Sequence, residues 1–490
     1  MSSKSIKKNT VYNVIKTFSS IAFPLITFPY VSRTLLVDNV GKINFGTSFV
    51  SYFLLIATLG INVYAIKECS KKSDDRYELS KIASQIYSLN ILTTIVAYIA
   101  LFITLIFYKK IESYRLLIVI QSLTILFTTL GADWLNTAME DFKFITIRTI
   151  SFQLLSLLLL FTFVHRPEDY LKYAIITVIS ISGANITNIF YRKRYCDVKF
   201  IIDKKVFIHL IPSLYLFVML LAQSIFSNVD VTMLGIIKGN YDVGIYSTAH
   251  KISNIVAQIV TSVVWVILPR MSFYFSKKDN EAINELIHKL YNFTITLGLP
   301  IVVGIFMISN DIILLFAGSA FMPSANVLKI LIVETLFTLL FGSLLGNMVL
   351  LPANEEKFLM ISCVITAIFN VITNYILIPK IGAIGAAITT LLSTVLSSIL
   401  AYIKSTKYVK INYFNNTLLS SVIGCTLIVV LCILFRGINN IFLRISITVF
   451  VSATIYFSVL LLLKNQITQM LLAAIKNRMN MFYKDNFSRL

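Results

Sequence analysis

About fourteen stretches of roughly 20 apolar residues run along this chain, each long enough to cross ~30 Å of hydrocarbon. Their centres fall near Ile21, Leu54, Ala97, Ile125, Leu158, Ile181 and Met219, then Val260, Pro300, Phe337, Val364, Leu391, Ile428 and Ser452. A chain of 490 residues with 57% hydrophobic residues, 13% charged residues and a mean hydropathy of +0.81 lies outside the range of soluble globular proteins. The fold class this requires is an all-α polytopic membrane protein. No charged n-region followed by a short apolar core and an A-x-A site opens the sequence, so the first helix is expected to stay as a span.

Lysine and arginine stay on the cytoplasmic side of membrane proteins. With the N-terminus inside, the inner segments include "KECSKKSDDRYELSK", "YRKRYCDVKFIIDKK", "RMSFYFSKK" and "KSTKYVK", with the tail "KNRMNMFYKDNFSR". All inner segments together hold about 29 of the 43 Lys and Arg, against about 9 outside. Both termini are therefore read as cytoplasmic. The net charge of +20 is assigned to this topology and to attraction for anionic headgroups of membrane lipids, not to nucleic acid.

Residue types that carry chemistry are scattered. The five cysteines, Cys69, Cys196, Cys363, Cys425 and Cys432, show no C-x-x-C spacing, and His165, His209, His250 and His288 have no carboxylate at metal-ligand spacing. Neither a metal nor a cofactor site is expected, and the chain is not read as an enzyme. The loops are too short for a soluble domain, so function must reside among the helices.

Two segments resemble each other. "VGKINFGTSFVSYFLLIATLGINVYAIKECSKK" from Val40 and "VGIYSTAHKISNIVAQIVTSVVWVILPRMSFYFSKK" from Val243 share a Val-Gly opening, an aromatic-containing helix and a Ser-Lys-Lys close. Six spans precede the basic loop Tyr191 to Lys205, six follow and two remain. The organisation expected is an N-terminal lobe over 1–205, a second six-helix lobe over 206–403, and two C-terminal helices with a basic tail over 404–490. The two lobes are expected to be parallel repeats around a central cavity.

"NVIKTFSSIAFPLITFPYVSRTLL", "GADWLNTAMEDFKFITIRTI", "SIFSNVDVTMLGIIKGNYDVGIYSTAHKI", "VILPRMS" and "LFAGSAFMPSANVLKIL" with "GSLLGNMVLLPANEEK" resemble, in order, the signature stretches of bacterial polysaccharide flippases of the Wzx and RfbX type. Those proteins belong to the multidrug/oligosaccharidyl-lipid/polysaccharide exporter superfamily, and the resemblance covers roughly residues 9 to 405. It implies an inner-membrane flippase for undecaprenyl-pyrophosphate-linked oligosaccharide, the repeat unit of O-antigen or capsule. Partnership with a polysaccharide polymerase and chain-length machinery is implied as well. One departure stands in "SRTLLVDNVG", where Leu36 occupies a position at which the family usually has glycine; the flexibility expected at that turn is thereby put in question.

Charges within spans are candidates for the substrate path, because an ionisable group in hydrocarbon costs about 2.5 to 3.5 kcal/mol at a helix centre. Lys16 lies near the inner end of the first span and Arg33 at its outer end, after Pro24 and Pro29, which are read as hinges. At the outer depth lie Asp230, Lys251 beside His250, and Glu334. Asp230 with Lys251 or Arg33 would form a compensated set, or a structural ion pair. The inner belt holds Asp133, Glu140, Asp141, Arg148 and Arg270, with Lys67 and Glu68. Arginine suits a pyrophosphate because its planar fork donates two parallel bonds, whereas the alternative for each is an interfacial anchor. The competing readings are a drug or metabolite antiporter or a peptidoglycan-precursor flippase of the same superfamily, and, from other classes, a membrane polymerase or acyltransferase or a structural scaffold. Basic residues at both depths disfavour an organic-cation antiporter.

Overall fold

A computed structural model describes residues 3–265, 267–470 and 472–473; the basic tail from Lys476 lies outside the described residues. No strand occurs among them. The first helices in order are α1 (Ser3–Thr58), α2 (Ile61–Ser70), α3 (Arg76–Phe107), α4 (Arg115–Gly131), α5 (Trp134–Ala138) and α6 (Phe142–Phe163). Next come α7 (Tyr170–Val178), which a π-helical turn joins to α8 (Ala184–Tyr191), then α9 (Leu210–Ile237), α10 (Asn240–Trp265) and α11 (Leu268–Lys277). Then follow α12 (Asn280–Met307), α13 (Ser309–Phe316), α14 (Ser324–Phe337), which continues as a π-helix to Leu350, α15 (Glu356–Ser405), α16 (Asn416–Leu434) and α17 (Ile441–Leu462).

All fourteen apolar centres fall inside helices. Among the described residues, ten helical stretches are long and apolar enough to cross a membrane. Two of the ten, Val11–Ser70 and Glu356–Ser405, have 60 and 50 residues, at least twice the ~20 of one crossing. Both are broken within. α15 is interrupted at Ile381 and Gly382, and α1 at Leu36 alone, while Pro24 and Pro29 sit in backbone that stays helical.

Leu36 has φ 63° and ψ 176°, a region that glycine enters freely and a side chain enters at about 1–3 kcal/mol. The turn at which the resemblance implies glycine thus has a glycine's conformation with a leucine in it. Leu36→Gly is expected to raise stability by about 1 kcal/mol, the strain relieved exceeding the extra chain entropy that glycine loses on folding. Thermal unfolding in detergent measures this; an unchanged or lowered midpoint would show that Leu36 carries no strain.

Packing divides the chain into two units, Met1–Ser247 and Thr248–Leu490. In the first, α1 packs against α3, α4, α6 and α9. Its inner core gathers Ile61, Ala65 and Cys69 of α2 with Leu79, Ala83 and Ile86 of α3, Trp134 and Leu135 of α5, and Cys196 and Val206 from the connection before α9. The C-terminus of α4 turns at Ala132 (φ 48°), and its last carbonyls are taken by side chains from the following helices: Asn188 Nδ2 donates to Gly131 O (2.6 Å) and Arg192 donates to Leu130 O (2.8 Å). Orphan carbonyls at a helix end are thereby satisfied without solvent.

Within this unit the N-terminal end of α10 crosses α1 so closely that glycine is required on both. A Cβ on Gly41 would lie 1.9 Å from the carbonyl oxygen of Asn240, and one on Gly244 2.3 Å from that of Val37. Gly41 and Gly244 are separated by the same interval as Val37 and Asn240, and Asn44 Nδ2 donates to Ser247 Oγ (2.8 Å) across that interval of 203. The contact is reciprocal, as a two-fold relation between two segments makes it. It also sets the register of the Val-Gly resemblance.

In the second unit α12 packs on α14 and α16, α14 on α15, and α16 on α17. An amide chain ties the middle of α12 to the start of α16 and to the segment after α17: Asn415 Nδ2 donates to Asn292 Oδ1 (2.9 Å) and Asn292 Nδ2 to Gln466 Oε1 (3.0 Å). Arg444 of α17 pairs with Asp311 of α13.

Candidate functional site

The charged residues picked out in the sequence meet different surroundings. Lys16 is half-buried on α1. Arg33 is exposed, and its guanidinium donates to the carbonyl of Pro29 (2.8 Å), one turn earlier on the same helix. Asp230 is 2% exposed and accepts from the Tyr246 hydroxyl at 2.7 Å.

Arg148 has been brought to Asp133. The two are fifteen residues apart in sequence, and the chain between them passes through α5 and a turn at Glu140, which has positive φ. The Arg148 side chain is only 5% exposed while that of Asp133 is 36% exposed. The Phe144 ring lies 5.4 Å from the guanidinium. Nη2 makes the ion pair; Nε and Nη1 are buried and have no partner among the described residues. Buried donors of this kind are costly unless something binds them.

The neighbouring acid, Asp141, does a different job. It caps α6 by accepting from Phe144 N (3.1 Å), and its other oxygen accepts from the hydroxyls of Tyr191 (2.7 Å) and Tyr195 (2.5 Å). Burial works to raise its pKa, but the two phenols and the Phe144 N–H outweigh this and hold the carboxyl below the usual range. Tyr195 is pushed up in turn by burial and by this bond. Glu68 pairs with Lys71 (2.7 Å).

In the second unit Lys251 is half-buried and Arg270 is exposed, its Nε donating to the Tyr274 hydroxyl at 3.0 Å. Arg148 and Arg270, similar in sequence position, therefore differ in setting. Glu334 accepts from Thr338 (2.6 Å) and from Thr394 of α15 (3.0 Å). Beside it on α15 runs a buried polar chain in which Asn374 Nδ2 donates to Asn370 Oδ1 (2.8 Å) and Thr389 donates to Asn374 Oδ1. Asn370, Asn374 and Thr389 are fully buried.

The α15 chain was missed in the sequence because amides are uncharged; the available signal was "FNVITNY", two asparagines four residues apart and hence on one helical face. His209 was set aside as a scattered histidine. It is buried, with Nδ1 against the Tyr64 hydroxyl (2.8 Å) and Nε2 against Gln85 Oε1 (3.1 Å). Burial lowers its pKa, opposed by Glu68. No group of three or more His, Cys, Asp or Glu able to hold a metal occurs among the described residues.

Buried charges and amides within apolar helices are the arrangement that a substrate path through a membrane uses. The family model of the polysaccharide biosynthesis proteins matches residues 6–275, and that of the lipid II flippase MurJ matches residues 205–460. The chain belongs to the polysaccharide biosynthesis protein family, whose second half here extends into the MurJ type. A Shigella dysenteriae protein described as an O-antigen transporter is 23% identical over 395 residues, 79% of this chain and 96% of its own length. The Staphylococcus aureus capsular polysaccharide biosynthesis protein CapF is 23% identical over 78% of this chain and 94% of its own. The structure of lipid II flippase MurJ in an inward closed conformation superposes with a TM-score of 0.74 at 18% identity, covering 94% of this chain and all of that one. The fold is therefore MurJ-like, and the descriptions of the Shigella relative and of MurJ name a transporter and a flippase.

Proposed function

We propose that this chain is a flippase that moves an undecaprenyl-pyrophosphate-linked oligosaccharide repeat unit across the cytoplasmic membrane by alternating access, supplying surface polysaccharide assembly. The observation that carries this reading is the overlap of two family matches on one chain, polysaccharide biosynthesis proteins over 6–275 and lipid II flippases over 205–460. One description names polysaccharide assembly and the other a lipid flippase, and a lipid-linked oligosaccharide is the cargo that joins the two. Lys16, Arg33, Arg148, Lys251 and Arg270 supply positive charge for the pyrophosphate, and Asp230 and Glu334 balance it. Pro24 and Pro29 let α1 bend between facings. The chain sits in the inner membrane with both termini cytoplasmic, and hands its product to a polymerase with its chain-length machinery.

Loss of the gene is expected to halt surface polymer and to accumulate the lipid-linked oligosaccharide on the cytoplasmic leaflet, where mass spectrometry of extracted lipids identifies it. An unchanged lipid pool with normal polymer would overturn the reading. The MurJ match supports a second reading, flipping of a peptidoglycan precursor. Under it the accumulated lipid would carry a peptide-bearing muropeptide instead.

A further inference from the structure

The connection between α8 and α9 is fastened along its length. Ser80, Ser84 and Ser88 of α3, spaced four apart, accept the backbone N–H groups of Asp197, Lys199 and Ile201 at 3.1, 3.1 and 2.8 Å. Four helical residues advance about 6.0 Å and two extended residues about 6.6 Å, so the two periods stay in step. Arg76 of α3 adds a bond to Lys193 O (3.1 Å) and an ion pair with Asp197 (3.6 Å). His209, held by Tyr64 and Gln85, closes the far end.

A backbone fixed this way also fixes what it turns outward. Ile202 is 94% exposed, Ile208 67% and Phe207 57%, and Phe200 is exposed beside them. Lys199, Lys204 and Lys205 are exposed among these apolar groups. Of the two acids, Asp197 pairs with Arg76, and Asp203, exposed, caps the Lys205 N–H (3.0 Å). The three lysines therefore outnumber the one carboxylate without a cationic partner among the described residues. The face is thus apolar and positive, and it joins the membrane-crossing stretch Pro167–Arg194 to α9. In water such a face is unfavourable; at the boundary between headgroups and acyl chains both halves of it are satisfied.

We propose that this connection is a membrane-surface anchor seated on anionic lipid of the cytoplasmic leaflet, with Ile202, Phe207 and Ile208 inserted and the three lysines paired with lipid phosphate. The anchor positions the start of α9 against the bilayer whatever cargo the chain carries. It is tested on the full chain with Ile202→Cys carrying an environment-sensitive fluorophore, the parent chain labelled in parallel as background, in phosphatidylcholine vesicles with and without phosphatidylglycerol. Phosphatidylglycerol is expected to shift emission to the blue and protect the probe from iodide. Added Lys199→Gln, Lys204→Gln and Lys205→Gln should remove this, each lysine accounting for about a fivefold change in the inserted population. Size-exclusion elution of each variant at the parent's position establishes folding. Full iodide quenching in both vesicles, as for a solvent-exposed probe, would overturn the anchor. Protection already present in phosphatidylcholine alone would overturn the anionic assignment. Protection in detergent that grows with protein concentration would overturn it in favour of a second copy covering the face.

Discussion

Gly41→Ala and Gly244→Ala are each expected to destabilise the protein by more than about 3 kcal/mol, against the usual trend for glycine in a helix, where alanine is favoured by about 1 kcal/mol. The reason is distance. A methyl group 1.9 Å from Asn240 O, or 2.3 Å from Val37 O, cannot be absorbed by a rotamer change, because both obstacles are backbone carbonyls. The helices must move apart, and the Asn44 to Ser247 bond is lost with the crossing. Gly304 on α12 provides the control, since a Cβ there meets nothing within 4 Å. Gly304→Ala should be neutral or mildly stabilising. The double variant should lose less than the sum of the two singles, as the first alanine already separates the helices for the second. Thermal unfolding by fluorescence-detected size exclusion measures all four. Gly41→Ala behaving like Gly304→Ala would mean that no such close crossing exists.

The same crossing shows why some of this fold was legible in the sequence. Hydrophobic length is an absolute demand of the bilayer, so every apolar centre from Ile21 to Ser452 falls in a helix. The Val-Gly pair could be matched by eye because glycine at a close approach has no substitute. Leu36 was legible only as an anomaly: nothing in a leucine announces positive φ, and the break in α1 looked more natural at Pro24 and Pro29, which a continuous helix accommodates. Site geometry was harder still. Ser80, Ser84 and Ser88 carry a helical period, but their partners are backbone N–H groups more than 110 residues away, which no side-chain pattern marks. Asp133 and Arg148 were both singled out, yet the chain between them turns at a positive-φ residue, Glu140, which is not a glycine. Local periodicity survives into structure; partnerships set by reversals of the chain do not show in it.

That pair yields the other large effect, and an asymmetric one. Asp133→Asn leaves a guanidinium that is 5% exposed without its counter-charge, so the loss is expected at about 3–5 kcal/mol. Arg148→Gln leaves a carboxylate that is 36% exposed and can be hydrated, so its loss should be about half as large. The double neutral variant, Asp133→Asn with Arg148→Gln, removes both charges and should recover most of the stability, since the remaining amides can hydrogen-bond to each other. Transport separates the structural role of the pair from a role toward cargo. Nε and Nη1 of Arg148 are buried donors that Asp133 leaves unused; they lie on different edges of the guanidinium, and each can donate a charge-assisted bond to a phosphate oxygen. The stable double variant is therefore expected to insert and accumulate normally yet fail to restore surface polymer in a strain lacking the gene, and Arg148→Lys, a point charge without the fork, should restore it only weakly. Full restoration by the double variant would make the pair a structural brace and remove Arg148 from the cargo path.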